Sequence, residues 1–322
     1  MTDETKQEGL RRKDLRERLN RLNRQPLARK QPPRQPVDDL RQSLRKQKQI
    51  REKPKPRDAI IYQRDLPRVA PPRFTPGQNR GQKVVLEEAV AGVEVSNTRG
   101  RGFVISSRAD EQDQMESVSG TFKAQISSRE SNLFQRISRV GDTKDLTPED
   151  FIFMDIETTG LGNSPLFLIG VMIWDAGGFE IQQYLARNYA EEAAVISLFL
   201  DICADKALLV TFNGKSYDVP YIRNRAVSNG IPFTIDPAHF DMLHECRRIW
   251  KNDLPDCKLQ TLETHICGRP RYGDIPGAQI PDAYHAYVRT DNAWQIVEVL
   301  KHNMLDLVTM ADLMTRFPKP GI

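Results

Sequence analysis

Cysteine is scarce in this chain: four residues in 322, at positions 203, 246, 257 and 267, with no Cys-x-x-Cys pair. So sparse a set builds no disulfide framework, and a reducing compartment is expected. Ten and nine residues separate Cys246, Cys257 and Cys267, a spacing foreign to the usual zinc sites even with His265 nearby. Long apolar runs are lacking too. The strongest, "LFLIGVMIW" from Leu166 to Trp174, has nine residues, far short of a membrane span. Asp3, Glu4 and Glu8 precede any apolar run, so neither a secretory signal nor a transit peptide is expected, and a cytoplasmic location is the default.

Charge is unevenly divided. Residues 1–58 hold 19 Lys and Arg against 9 Asp and Glu, a net of +10; the remainder holds 28 against 34, a net of −6. The first stretch is rich in Gln, Arg, Lys and Pro and poor in aromatics, so it cannot bury enough apolar surface to offset ordering. We read it as a basic, largely disordered arm. Within it "DLRERLNR" (Asp14–Arg21) is echoed by "DLRQSLRK" (Asp39–Lys46), two short basic amphipathic helices in a Pro-broken tail. A basic arm on a mildly acidic body calls for an anionic partner, nucleic acid first and a membrane surface second, with a protein partner a further option; a solvated, fraying tail is the bland alternative.

Residues 59–83 read as a Pro-rich extended linker. Short β-like runs follow, "KVVLEEAV", "GVEVSN" and "GFVISS", making 84–107 a small β element within a segment 84–147, of which 108–132 is polar and unpatterned. From about 148 the texture becomes dense. Three strand-like runs, a helix, the buried strand "LLVTF", a second helix ending at Asn229-Gly230, a further strand and more helices predict an α/β domain with a mixed sheet over 148–317.

Three acidic elements stand out. Asp155 and Glu157 are two apart on a strand and share one face with Phe151 and Phe153, while Ile152, Met154 and Ile156 take the other. Two like charges about 4 Å apart cost roughly 4 kcal/mol at an effective dielectric near 20. A hard divalent cation would offset that; two solvated acids at an exposed strand end would avoid it. Asp218 falls in the first turn of a helix that follows "LLVTFNG", where an acid is ordinarily just favourable to the helix dipole. His302 and Asp306, four residues apart, leave the same face of a mostly apolar helix. A haloacid-dehalogenase-type phosphotransferase, with its Asp-x-Asp-x-Thr motif, is disfavoured because the third position is Glu157. "ECRRIWK", with Arg247, Arg248 and Lys251 beside Trp250, suits backbone contact and stacking on nucleic acid, or a helix with one core face.

"DIETTGL", "FNGKSYDVPYI" and "HNMLD" stand in the order of the three exonuclease motifs of the DEDD, or DnaQ-like, superfamily, whose fold is ribonuclease H-like. More narrowly the chain resembles the YprB-type ribonuclease H-like proteins, through "LEEAVAGVEV", "HFDMLHECRRIWKNDLPDCKLQTLE", "DIPGAQIPDAY" and "HNMLDLVTM". The resemblance covers about residues 84–106 and 148–315 and leaves out the arm. It implies a ribonuclease H-like mixed sheet flanked by helices and a 3′→5′ exonuclease acting on DNA or RNA. It also implies that Asp155, Glu157, Asp218 and Asp306 hold two Mg²⁺ or Mn²⁺ ions. Thr158 and Leu161 would contact the terminal nucleotide, and Asn213 would support Asp218. His302 occupies the register that a tyrosine base has in one branch of the superfamily. It is expected to be the general base or to hydrogen-bond a carboxylate beside the metals. The other class left open is an adaptor that binds nucleic acid or protein, keeps the fold and turns over little.

Overall fold

The computed structural model describes residues 83–112, 114–141 and 145–319. The chain divides into two units, Met1–Asp58 and Ala59–Ile322, and every described residue belongs to the second. The basic arm, its two short helices and nearly all of the linker lie outside the described residues.

Among those residues the strands form one seven-stranded mixed sheet. They are β1 (Gly92–Asn97), β2 (Gly100–Arg108), β3 (Phe151–Thr158), β4 (Leu166–Asp175), β5 (Gly178–Leu185), β6 (Leu208–Thr211) and β7 (Ala238–Asp241), in the order β1-β2-β5-β4-β3-β6-β7. All neighbours are antiparallel except β3 with β6 and β6 with β7. The β element expected over 84–107 therefore forms the edge of the main sheet. Its first part, Leu86–Ala89, is a short helix, α1, rather than strand. Between β4 and β5 a two-residue turn places Ala176 and Gly177 both at positive φ (48° and 88°), matching the twist of the paired strands.

The remaining helices are α2 (Met115–Ser127), α3 (Asn132–Ile137), α4 (Glu192–Cys203), α5 (Asp218–Ser228), α6 (Met242–Trp250), α7 (Leu259–Leu262, continuing as a π-turn over Glu263–Cys267), α8 (Ile280–Thr290) and α9 (Trp294–Thr315). None of them is long and apolar enough to cross a membrane.

Two apolar layers cover the sheet. Ile152, Met154 and Ile156 join α4, α5 and α8 in one; Phe151 and Phe153 join α2, α6 and the end of α9 in the other. The alternation expected of β3 thus holds. The second layer centres on Phe122 of α2, whose ring lies 5.1 Å from Phe151 and 4.9 Å from Phe179. Each such side chain contributes about 1.5–3 kcal/mol on burial. Helix α9 serves both layers: Ile296, Val299 and Leu300 enter the first, and Leu307, Met310, Leu313 and Met314 the second. His302, Asn303 and Asp306 fall between these two apolar runs.

Candidate functional site

The carboxyl ends of β3 and β6 point the same way, and α5 starts just beyond β6. In α/β sheets this is the end where ligands bind. At the tip of β3 the register with β4 shifts between Glu157 and Thr158, a bulge of the kind that re-aims side chains.

Asp155 is held by a row that crosses the sheet. Asp155 pairs with Gly170 on β4, and Gly170 with Gln183 on β5. Fully buried Asn303 of α9 lies over Gly170. Its amide nitrogen donates to Asp155 Oδ2 at 2.9 Å and to the Asp155 carbonyl at 3.3 Å. Its oxygen accepts from Gln183 Nε2 at 2.9 Å, and that Gln183 nitrogen also donates to the Leu300 carbonyl at 2.8 Å. A Cβ at position 170 would lie 2.0 Å from Asn303 Oδ1, so only glycine admits this approach.

Asp218 sits buried at the start of α5. The turn that presents it contains Asn213 at φ 68°. Asp241 braces that turn: its carboxylate accepts the backbone N–H of Asn213 (2.8 Å) and Lys215 (3.0 Å) and caps α6 through Leu243 (3.1 Å). Asn213 thus shapes the loop through its backbone, its carbonyl accepting from Ser216 and Tyr217. Asp241, which its sequence surroundings do not single out, fits its position as the residue just ahead of a helix.

On α9, Asp306 Oδ1 accepts from Arg271 Nη2 at 2.5 Å. His302 turns Nδ1 to Asp274 Oδ2 at 2.8 Å and Nε2 toward Asp306 Oδ2 at 3.6 Å. The carboxylate that holds the imidazole is Asp274, which is not among the four expected acids.

The electrostatics follow from this crowding. Burial, then the charges of Asp306, Glu157 and Asp218, raise Asp155 well above the usual carboxylate range against the pull of Asn303. Burial pushes Glu157 up to about 8, helped by Asp306, Asp218 and Asp274 and opposed by His302. Asp218 rises to about 7, through burial and then Asp241 and Asp306, against backbone hydrogen bonds. Burial disfavours a charged His302, but the Asp274 bond and the charges of Asp306 and Glu157 outweigh it and raise the imidazole. Asp306 thus bears on Asp155, Glu157 and Asp218, and Asp218 on Asp155 and Glu157. Even so, among the described residues no group of three His, Cys, Asp or Glu side chains is drawn together tightly enough to hold a metal ion.

Thr158 is buried, donating to the Gly160 carbonyl at 3.0 Å and lying 3.4 Å from Tyr217 Oη. Leu161 is 85% exposed on the loop after β3. That loop is pinned to α5: Tyr221 Oη donates to the carbonyls of Gly160 and Ser164 at 3.0 and 2.7 Å, and Arg225 Nη1 to that of Asn163 at 2.7 Å. Trp250 packs against Phe317 at 5.8 Å between centroids, so the aromatic of "ECRRIWK" serves the core. Cys203, Cys246 and Cys267 are buried free thiols, raised by burial.

Sequence reasoning missed Gln183, Asp274 and Arg271. Arg271 and Asp274 carry charge three residues apart in a Gly- and Pro-rich loop, a signal too common to single them out.

The RNase_H superfamily model matches residues 152–317, more than half of the chain and the whole stretch that carries these acids. The chain is 30% identical over 188 residues to the uncharacterized protein YprB of Bacillus subtilis (strain 168), 57% of this chain and 45% of that protein. It is 28% identical over 100 residues to DNA polymerase 1 of Sulfurisphaera ohwakuensis, 30% of this chain and 11% of that one. A solved family B DNA polymerase from the hyperthermophilic archaeon Pyrobaculum calidifontis aligns with a TM-score of 0.44 and 18% identity, covering 53% of this chain and 25% of that one. The chain spans less than half the length of the curated relatives it matches. With a mixed sheet in this order, acids at the carboxyl end of its interior strand β3 and a family match across the same residues, the chain belongs to the RNase_H superfamily.

Proposed function

We propose that this chain is a metal-dependent nuclease of the DEDD type, a 3′→5′ exonuclease that hydrolyses phosphodiester bonds of DNA or RNA. One observation carries the reading: Asp155, Glu157 and Asp218, from a strand tip and a helix start, are all driven up in pKa first by burial, and the charge of Asp306 adds to each. Arg271 meets only Asp306 among these four acids, and the hard oxygen donors of the rest suit Mg²⁺ or Mn²⁺. Asp155, Glu157, Asp218 and Asp306 would hold two ions, which when bound would supply Lewis-acid charge for an in-line displacement.

The chain's own residues do the rest. Asn303 fixes the Asp155 carboxylate through Oδ2 and leaves Oδ1 for the site. His302, oriented through Nδ1 by Asp274, presents Nε2 as the general base. Exposed Leu161, on its pinned loop, offers an apolar surface to the terminal base; Thr158 stands at the head of that loop, 3.4 Å from Tyr217 Oη, and the Asn213 turn presents Asp218.

A second reading, a nucleic-acid- or protein-binding adaptor with little turnover, draws on Arg271, which already neutralises Asp306. Incubation of the protein with Mg²⁺ or Mn²⁺ and 5′-labelled single- and double-stranded DNA and RNA separates the two. A ladder of products shortened from the 3′ end is expected. Binding without shortening in either metal would favour the adaptor.

A further inference from the structure

We propose that Arg271 is a positioning residue that sets both Asp306 and, through Asp274, the ring of His302. The proposal rests on the nuclease reading for what those two residues do. Arg271 lies on the loop between the π-turn and α8, and its side chain is only 7% exposed. Each of its three nitrogens is spent on a different carboxylate: Nε on Glu263, Nη1 on Asp274 at 3.2 Å and Nη2 on Asp306 at 2.5 Å.

These partners are themselves tied to α9. Glu263 is buried and accepts from Thr309 Oγ1 at 2.7 Å, one turn beyond Asp306. Asp274 Oδ2 accepts from His302 Nδ1 as well as from Arg271. Both active groups of α9 thus hang on one guanidinium. It engages Oδ1 of Asp306 and leaves Oδ2, the oxygen nearer His302, free of it. Only a planar fork of five N–H donors can serve three carboxylates in three directions; a lysine ammonium has the charge but not the reach. A clasp that merely fastened the loop to α9 needs Glu263 and Thr309 alone. The further engagement of Asp274, which grips the imidazole, has no use in that simpler role.

The test compares the full chain with Arg271→Ala, Arg271→Lys, Asp274→Asn and the double variant Arg271→Ala/Asp274→Asn, at a temperature where melting curves show all of them folded. Cleavage kinetics on a single-stranded substrate are read beside Mn²⁺ affinity by calorimetry. Groups that orient ligands or catalytic side chains change affinity or activity by about 10–100-fold. Arg271→Ala is expected to lower kcat by about 30-fold or more with KM within about threefold, and to weaken Mn²⁺ binding by about tenfold. Arg271→Lys should restore melting temperature better than kcat. Asp274→Asn should lower kcat while Mn²⁺ affinity stays within about twofold, because Asp274 acts on His302 and not on Asp306. The double variant should match Arg271→Ala, since both changes cut one chain of interactions. Parent-like kcat and Mn²⁺ affinity in folded Arg271→Ala would reduce Arg271 to a structural clasp and overturn the proposal. Tighter Mn²⁺ binding by that variant would make Arg271 a competitor for Asp306, and would overturn it as well. Failure of the parent to cleave at all would overturn the nuclease reading while the affinity comparison still decides the role of Arg271.

Discussion

Glycine 170 shows how one missing Cβ shapes the site. Asn303 reaches Asp155 because Gly170 leaves the space that a methyl group would fill. Gly170→Ala should cost about 1–3 kcal/mol in overpacking and displace Asn303. Urea unfolding would register the loss, and cleavage should fall by more than the unfolded fraction explains. A second consequence concerns protons. Glu157 and Asp218 titrate near 8 and 7 in the folded chain, against about 4 when unfolded. Between about pH 4 and 8 the unfolded chain releases these protons while the folded chain keeps them. The metal-free protein should therefore lose stability as pH rises through that window. Glu157→Gln removes one of the two groups, so its melting temperature in chelator should fall less steeply and exceed the parent's near the top of the window. An equal slope would mean that Glu157 is not perturbed. The paired acids, His302 and Asp306 were legible because strand and helix periods place them without tertiary knowledge. Gln183, Asp274 and Arg271 were not, since their roles arise from hydrogen bonds across at least 28 residues to groups on other elements.

Elements were readable in proportion to how local their causes are. β3 announced itself through alternation, and α5 through its Asn-Gly stop. Helix α2 fell in a stretch that seemed featureless, yet Met115, Val118, Phe122 and Ile126 make a buried face within a polar sequence. Four large apolar residues in thirteen sit below the density that marks a helix unaided. Phe122 nonetheless closes the layer beneath the site-bearing strand. Phe122→Ala should cost about 3–5 kcal/mol, measured by thermal or denaturant unfolding; a cost below about 1 kcal/mol would mean the layer closes without it. Helix α1 shows the opposite error: "KVVLEEAV" has β-formers, but only its Leu86–Ala89 segment is regular, and it is helical. The place of β2 beside β5 could not be read from either strand, because more than seventy residues separate the paired positions.

For the whole molecule, the superfamily architecture brings acids from β3, α5 and α9 to one end of a sheet, and α9 carries its polar residues where its apolar surface passes from one layer to the other. The basic arm lies outside the described residues, and its role is a separate claim. If it neutralises phosphates, deletion of residues 1–58 should flatten the dependence of nucleic-acid affinity on salt, by about 0.7–0.9 in log–log slope for each phosphate no longer neutralised; an unchanged slope would remove the arm from binding. The central claim is that these acids make a nuclease. Release of mononucleotides from a 3′-labelled strand, followed for the parent and for Asp155→Ala in Mg²⁺ and Mn²⁺, tests it most directly. Metal-dependent release by the parent that Asp155→Ala abolishes is the expected result; release that survives the substitution, or none from the parent in either metal, would contradict it.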